Sequence, residues 1–393
     1  MKIWFSALLL FLTMPAVAHA LEIRVAPSDY VFLNENNRLK GIYDVMLQNI
    51  AVINDSKEDI VLERMEIMGL EYGVPSLVDI IHFHHYEKRW ASLKKYFDRP
   101  GGMSMDDTFF LFSQLLSGSI VLSSSMTLAP GSAVIVDRRL LAFSNAHVAD
   151  SLRISATGVT KNGDTHETST VLKIVQYEAK NEYRFPLKGR WYVNSASSVR
   201  SHHRSRPAHE FALDLIKIGA DGKSHRGAGT RHSEYYAFGE EVYAVADGVV
   251  VRAVNDIPET RLQRENESRR EFAVRVLDAM WEKDPTGRIA EGNLVIIEHA
   301  GGEHSVYVHL KNRSVRVKKG DLVSQGQVIG QVGITGDGFQ PHLHFQVNDG
   351  PNPQYSRALP IRFSNVRPVA FASTLDMSEN RLFMAGEFVE TVE

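Results

Sequence analysis

The chain of 393 residues contains no cysteine. This absence excludes a disulfide framework, a thiolate metal site and an acylated lipoprotein cysteine. The sequence also lacks a marked excess of charge of either sign, because its formal net charge is −3. A near-neutral chain gives no electrostatic reason to expect nucleic acid or an anionic membrane surface as the main partner. Its stability must therefore come from a hydrophobic core, or from a metal held by nitrogen and oxygen ligands.

Long apolar runs are scarce as well. The clearest one covers residues 3–17, follows Lys2 and precedes the small residues Ala18 and Ala20. This layout is typical of a secretory signal peptide, and the run is shorter than a membrane span usually requires. We expect cleavage after Ala20 and a periplasmic or secreted mature protein, with an uncleaved membrane anchor as the alternative.

The remaining composition is that of a globular protein, with 44% apolar and 23% charged residues. Short alternating strands separated by turn residues predict a mainly β chain. We expect an N-terminal β-sandwich over residues 21–190, with a helical insert at about 86–118. A compact antiparallel β barrel-sandwich follows over residues 191–370, with a charged helical insertion at about 257–291. Residues 371–393 form a C-terminal tail.

The stretch PHLHF (residues 341–345) places two histidines one residue apart. Apolar and polar residues alternate there, so the stretch is predicted to be a strand with His342 and His344 on one face. Asp214 lies within the apolar stretch FALDL, where an unpartnered buried carboxylate would be costly and a cation would remove that cost. A hydrolytic zinc site needs three such protein ligands and one open position. His309, in YVHL, is a further candidate.

The region from Ser198 to Phe363 resembles the lysostaphin-type, or LytM-like, zinc endopeptidases, which cut peptide bridges in peptidoglycan. Several motifs carry the resemblance, in the order in which that family has them. They are FALD (211–214), EEVYAVADGVV (240–250), GNLVIIEH (292–299), YVHL (307–310), VKKGDLVSQGQVIGQVGITG (317–336) and PHLHF (341–345). A single HxH motif would have been a much weaker indication.

The resemblance implies a zinc cofactor and assigns roles to four residues. Asp214 and His344 correspond to zinc ligands of the family. His309 and His342 correspond to its two non-ligand histidines, which orient and deprotonate the attacking water and stabilise the oxyanion. Bound zinc would lower the pKa of its water to near 7 and polarise the scissile carbonyl.

The third ligand is the point at which the sequence departs from the simplest pattern of the family, a histidine four residues before the aspartate. Glu210 occupies that position. On a regular strand His209 would face away from Asp214. Members with a longer lead-in place the histidine upstream, and SHHR (residues 201–204) matches that version. We therefore predict His203 as the third ligand, with His209, His202 and Glu210 as the alternatives.

The predicted function is that of an exported zinc endopeptidase acting on peptidoglycan peptides. The N-terminal domain could bind the wall or a partner protein, or cover the cleft, and its residues name no ligand. One alternative is a catalytically degenerate regulator of other wall hydrolases, and another is a secreted protease acting on proteins. A biotinyl or lipoyl carrier is disfavoured because no modifiable lysine stands at the required hairpin tip. Nothing in the sequence indicates an oligomeric state.

Overall fold

The computed structural model gives the fold of most of the chain. The residues that it describes are 20–35, 42–97, 115–116, 120–144, 148–197, 201, 203–264, 266–268, 271–272, 274–276, 279–280, 288–369, 383 and 385–392. The predicted signal peptide and the second half of the predicted helical insert fall outside these residues, apart from Ala20 and a few positions near 115–120. No helix in this part of the chain combines the length and apolar character that a membrane crossing requires.

The N-terminal unit consists of eleven strands and one α-helix among the described residues. The strands are β1 (Leu21–Ala26), β2 (Tyr30–Phe32), β3 (Asn34–Glu35), β4 (Ile42–Asn54), β5 (Ile60–Glu71), β6 (Val74–His82), β7 (Val121–Leu122), β8 (Thr127–Leu128), β9 (Ser132–Ser144), β10 (Ser151–Thr160) and β11 (Thr165–Val175). Helix α1 (Glu87–Phe97) follows β6 and the 3-10 helix Phe83–His85. It begins where the alternating pattern of β6 gives way to apolar residues three and four apart.

Two sheets make up this unit. One has the order β1-β4-β9-β7, with β3 also paired to β4, and the other has the order β2-β11-β10-β5-β6, with β8 also paired to β5. Alternation along the strands directs apolar side chains of both sheets into a shared buried cluster, to which β4 contributes Val45 and Leu47 and β5 contributes Met65 and Ile67. Trp90 of α1 packs into the same cluster and donates a hydrogen bond to the carbonyl of Ile135.

In the C-terminal unit the described residues form eleven further strands. They are β12 (Arg190–Ser195), β13 (Leu213–Ile216), β14 (Glu241–Tyr243), β15 (Gly248–Val254), β16 (Asn293–Glu298), β17 (His304–Leu310), β18 (Leu322–Val323), β19 (Val328–Gln331), β20 (Leu343–Asn348), β21 (Val366–Val369) and β22 (Phe388–Thr391). Short 3-10 helices occur at His203–Ser205, His232–Glu234, Arg288–Glu291 and Ala300–Gly302. The prediction of a mainly β chain is confirmed.

A nine-stranded sheet dominates the C-terminal unit. Its order is β18-β15-β16-β17-β20-β13-β12-β22-β21, and β14 and β19 form a separate pair. Strand β22 lies in the segment that the sequence assigns to a tail, yet it pairs with both β12 and β21. Within the predicted insertion at 257–291, the described residues 271–272, 274–276 and 279–280 are helical. The order of the sheet makes β17, β20 and β13 neighbours, and these three strands carry the candidate site.

The connection between the units is held to the C-terminal sheet by one buried carboxylate. Glu303 accepts hydrogen bonds from the Tyr177 hydroxyl, the Lys180 backbone N–H, the Asn181 amide and the Tyr183 hydroxyl. Burial by itself would raise the pKa of Glu303, but these hydrogen bonds outweigh burial and lower that pKa. The carboxylate is therefore charged at neutral pH and fully engaged.

Replacing Glu303 with alanine should lower the free energy of unfolding by about 3 kcal/mol, because several buried donors lose a charged acceptor. The folded-state pKa is depressed, so the part of this contribution that depends on the charge is present above the unfolded pKa of about 4.3 and is lost as the pH falls through the lower folded value. Urea unfolding followed by tryptophan fluorescence measures the change. Glu298→Ala, at an exposed position on β16, is the control. Equal effects of the two substitutions would contradict the assignment.

Candidate metal centre

Three neighbouring strands bring the predicted site residues together. In the antiparallel pairing of β13 with β20, Asp214 lies directly opposite His344. In the pairing of β17 with β20, Val308 lies opposite His344, so that His309 follows immediately. His342 precedes β20 by one residue. Residues more than a hundred positions apart in the sequence thereby meet on one sheet.

Asp214 is the centre of the group. Its Oδ2 lies 3.3 Å from His203 Nε2, and its Oδ1 lies 3.0 Å from His344 Nδ1. His203 is 2% exposed, and Asp214 and His344 are each 7% exposed. One possible ligand atom from each of the three side chains lies within 4.8 Å of the other two. Two imidazole nitrogens and a carboxylate oxygen at these separations form a donor set that suits Zn²⁺.

His203 reaches this position from a series of turns rather than from a strand. The residue begins the 3-10 helix His203–Ser205, and backbone hydrogen bonds connect Arg206 to His203, His209 to Arg206 and Ala212 to His209. The regular strand β13 starts only at Leu213. The expectation that His209 faces away from Asp214 assumed a strand there, and that assumption is wrong.

The alternatives to His203 have different surroundings. The His209 ring lies 5.2 Å from the His344 ring. The Glu210 carboxylate accepts a hydrogen bond from Gln48 of β4, so it is directed toward the N-terminal unit. Burial raises the pKa of Glu210, although the neighbouring guanidinium of Arg204 opposes this effect. His202 lies outside the described residues.

The remaining ring nitrogen of each clustered histidine has a fixed partner. His203 Nδ1 lies 3.2 Å from the carbonyl oxygen of Ala212, to which it can only donate. His344 Nε2 lies 2.8 Å from Gln346 Oε1. The Gln346 amide nitrogen donates to the carbonyl oxygens of Ala208 and Pro353, which identifies the atom facing His344 as an acceptor. The nitrogens directed at Asp214 are therefore the ones suited to hold a metal.

His309 and His342 form a second pair beside this group, with ring centroids 4.7 Å apart. Their Nδ1 atoms donate to the carbonyl oxygens of Thr335 and Gln340, each at 2.7 Å. Each Nε2 is left as the basic atom. His309 Nε2 lies 3.6 Å from Asp337 Oδ1, and His342 Nε2 lies 3.6 Å from Asp214 Oδ1. His309 also has a φ of 62°, a left-handed conformation uncommon for a non-glycine residue and frequent at functional sites.

The charges of the site follow from its burial and its neighbours. Burial would raise the pKa of Asp214, but His203 and the hydrogen bond from His344 outweigh it and hold that pKa well below its usual range. Burial would lower the pKa of His344, but the hydrogen bond to Asp214 outweighs it and raises that pKa. Burial and the adjacent His342 and His344 hold the pKa of His309 well below its usual range. Asp214 is thus ionised, while His309 is neutral.

A cavity of about 560 Å³ opens over both histidine pairs. Residues of the predicted insertion, Gln263, Ala290 and Glu291, line one side of it. Other lining residues are Asn194, Arg206, His209, Ile216, Tyr235, Val308, Asp337, Gly338, Phe339, Gln340, Gln346, Pro353 and Gln354. No residue of the N-terminal unit is among those that line the cavity in the described part of the chain. Described residues near both ends of the insertion therefore form part of the cavity wall.

Sequence reasoning did not identify two of the polar residues here. Gln346 has a signal, because it lies two residues after His344 on a strand and must share its face. No sequence signal could have identified Asp337, because it lies in an irregular segment between Gly336 and Gly338. Its distance from His309 depends on how that segment folds.

A match to a protein-family model agrees with the family resemblance that the sequence motifs indicate. Residues 274–355 match the family model of Peptidase family M23, and this range includes His309, His342 and His344 but begins after Asp214. The resemblance to the lysostaphin-type, LytM-like peptidases is thereby confirmed. The match covers a minority of the chain, so it does not describe the N-terminal unit.

Similar curated proteins share short segments with this chain. The cell division protein DipM of Caulobacter vibrioides is 36% identical over 77 residues, which are 20% of this chain and 12% of that protein. Peptidoglycan DD-endopeptidase ShyB of Vibrio cholerae is 46% identical over 56 residues, which are 14% of this chain and 13% of that protein. Lysostaphin of Staphylococcus simulans is 35% identical over 89 residues, or 22% of this chain and 17% of that protein. The chain therefore aligns with less than a fifth of the length of each of these relatives.

Solved structures with a similar fold include two peptidases. The catalytic domain of lysostaphin from Staphylococcus simulans is 18% identical, with a TM-score of 0.23, and covers 45% of this chain and 88% of its own. A zinc-containing peptidase from Vibrio cholerae is 13% identical, with a TM-score of 0.23, and covers 81% of this chain and 80% of its own. TM-scores this low do not bear on function.

Proposed function

We propose that this protein is an exported zinc-dependent endopeptidase that hydrolyses peptide cross-links or bridges of peptidoglycan. The observation that carries the proposal is the convergence of His203, Asp214 and His344 at the base of an open cavity, with two further histidines beside them. A degenerate regulator is less well supported, because three donor atoms suited to zinc are present together.

The residues fit a zinc ion by the chemistry of their donor atoms. His203 would offer Nε2, Asp214 a carboxylate oxygen and His344 Nδ1, which is a donor set typical of hydrolytic zinc sites. The carboxylate of Asp214 is buried, and a bound cation would neutralise its charge. Zinc bound there would supply a water of lowered pKa and would polarise the scissile carbonyl group.

Within this scheme His309 accepts the proton of the attacking water. Its Nδ1 is engaged with the Thr335 carbonyl, so Nε2 is the available base. Asp337, 3.6 Å from that nitrogen, would stabilise the imidazolium that forms. His342 presents its own Nε2 beside the site, 3.6 Å from Asp214 Oδ1, where it can orient the attacking water as a hydrogen-bond acceptor. The proton that His309 has accepted then passes to the leaving amine.

The choice of peptidoglycan as substrate is supported by the names of the relatives, several of which are peptidoglycan DD-endopeptidases. The cavity volume of about 560 Å³ is within the usual range of ligand pockets, and Phe339 and Tyr235 contribute aromatic surface to it. Export would bring the enzyme to the compartment that contains the wall.

Incubation of the mature protein with purified peptidoglycan tests the proposal. Mass spectrometry of the soluble fraction should find released peptide-linked fragments, which disappear after chelation and return when one equivalent of zinc is added. Casein, supplied in parallel, distinguishes a general secreted protease from a wall hydrolase. Full activity of the zinc-free protein would rule the mechanism out, and cleavage of casein alone would rule out the substrate.

A further inference from the structure

A buried polar cluster lies between the N-terminal unit and the segment that carries His203. It consists of Asp44 and Gln48 of β4, and of Arg204 and Glu210 from the C-terminal unit. Their exposed fractions are 3%, 0%, 1% and 1%, so the cluster is sealed from solvent. Buried charges are rare unless paired, and this set requires an explanation.

Strand β4 presents two different faces. Val45 and Leu47 point into the core of the N-terminal unit, and the alternation of the strand therefore directs Asp44 and Gln48 to the opposite side. Asn34 of β3 donates to Asp44 Oδ1 at 3.1 Å and holds the carboxylate in place. A strand that is buried on both faces would normally carry apolar residues on both. The polar residues on this face of β4 are therefore explained by the polar groups that they contact in the C-terminal unit.

The contacts join β4 to the residues that flank the candidate ligands. Arg204 Nη2 donates a short hydrogen bond to Asp44 Oδ1, and Gln48 Nε2 donates to Glu210 Oε2 at 2.8 Å. Arg204 Nε lies 3.9 Å from Glu210 Oε1. Arg204 directly follows His203 in the chain. The ion pair between Asp44 and Arg204 therefore fixes the backbone next to His203.

The other side of the same segment is held by the C-terminal sheet. Gln346 Nε2 of β20 donates to the Ala208 carbonyl at 2.9 Å, and the backbone N–H of Ala358 donates to the Pro207 carbonyl. The segment from 203 to 212 is built of turns and has no ladder of strand hydrogen bonds of its own. Its position therefore depends on contacts at both sides, one of which is β4.

We infer that β4 of the N-terminal unit is a structural part of the metal centre, with Asp44 and Gln48 as positioning residues that hold His203 in place for the metal. This inference rests on the proposed zinc site. Ligand geometry depends on the groups around the ligands, and loss of such a group typically weakens metal binding by roughly 10- to 100-fold. The N-terminal unit would then have a role in zinc retention that does not require it to touch substrate.

The test is the zinc affinity of full-length Asp44→Asn, measured by competition with a fluorescent chelator. The substitution keeps the size of the side chain and removes the charge opposite Arg204. We expect zinc binding to weaken by roughly 30-fold. Asp79→Asn is the control, because Asp79 pairs with Arg139 within the N-terminal unit, with Arg139 Nε 3.0 Å from Asp79 Oδ2, and does not contact the His203 segment. Its zinc affinity should stay within about threefold of the wild type.

Replacing zinc with cobalt gives an absorption spectrum that depends on the metal ligands and would not change through a general loss of stability. The visible d–d bands of bound Co²⁺ report ligand number and geometry, and they should change in Asp44→Asn but not in Asp79→Asn. If Asp44→Asn fails to fold, Gln48→Met decides the matter, since it removes the bond to Glu210 with an apolar side chain of similar length.

The outcomes separate the two proposals. A wild-type protein that binds no zinc overturns the proposed function, and the inference with it. A wild-type protein that binds zinc, together with Asp44→Asn or Gln48→Met variants of unchanged zinc affinity and unchanged cobalt spectrum, overturns the inference and leaves the function standing.

Discussion

Asp214→Ala should abolish stoichiometric zinc binding and reduce peptide release from peptidoglycan by on the order of 10⁴-fold or more. Asp214 is the carboxylate around which the cluster is built, with His203 Nε2 at 3.3 Å and His344 Nδ1 at 3.0 Å. Without it two imidazoles remain, too few for a catalytic zinc site. His344→Ala should have the same effect, because it removes a ligand of the same group.

Zinc content by elemental mass spectrometry and peptide release by chromatography measure this prediction. Asp214→Asn separates charge from packing, since it keeps the volume of the side chain and should also lose zinc. Asp221→Ala, at an exposed position several residues later, is the control and should retain both zinc and activity. An Asp214→Ala protein that still holds one zinc per chain would show that the metal is bound elsewhere.

His309→Ala and His342→Ala should retain zinc and lose turnover by about 10²- to 10⁴-fold, the range typical of a lost general acid or base. Neither side chain belongs to the group of three donors, and each has its Nδ1 engaged with a backbone carbonyl. Zinc affinity and kcat therefore separate these residues from the ligands. His304→Ala, on the same strand β17, is the control, because His304 is not among the residues that line the cavity.

The pH dependence of kcat provides a second check on His309. Burial and the neighbouring His342 and His344 hold its pKa well below the ordinary histidine value of about 6.5, so it remains a neutral base below that pH. The activity should therefore stay on its plateau below pH 6.5 and decline only as the pH falls through the depressed pKa. Zinc occupancy must be measured at each pH, because protonation of the ligands also releases metal. A decline that begins above pH 7 with full zinc occupancy would exclude His309 as the base.

Motifs in the sequence identified all five candidate residues, and four of them, Asp214, His309, His342 and His344, had no alternative. Asp214 lies in an apolar stretch and His344 in an alternating one, and both patterns predict a strand. His309 lies on the neighbouring strand β17, and His342 lies one residue before β20. Their convergence could be expected from the family resemblance, and the antiparallel pairing of β13, β20 and β17 provides the geometry.

The resemblance of SHHR to one version of the family favoured His203 as the third ligand, but the residue pattern alone could not choose among the candidates, for a physical reason. His202, His203 and His209 lie in a segment without periodicity, and the direction of each side chain depends on the dihedral angles of successive turns. The assumption of a regular strand through His209 was wrong for that reason. The structure places His203 against Asp214, and the turns that do so are held from outside by β4 and β20.

The sequence therefore predicted the position of a candidate residue wherever that residue belongs to a regular strand. The period of two in a strand fixes the face on which a side chain lies, independently of the rest of the fold. The mainly β architecture, the buried carboxylate and the histidine pair all follow from such local patterns. Contacts between segments that are distant in the sequence became known only from the tertiary structure. The approach of Asp337 to His309, the contribution of the insertion to the cavity wall and the ion pair from Asp44 to Arg204 each join segments of no periodic relation. Packing of the whole chain determines those distances, and no local rule encodes them.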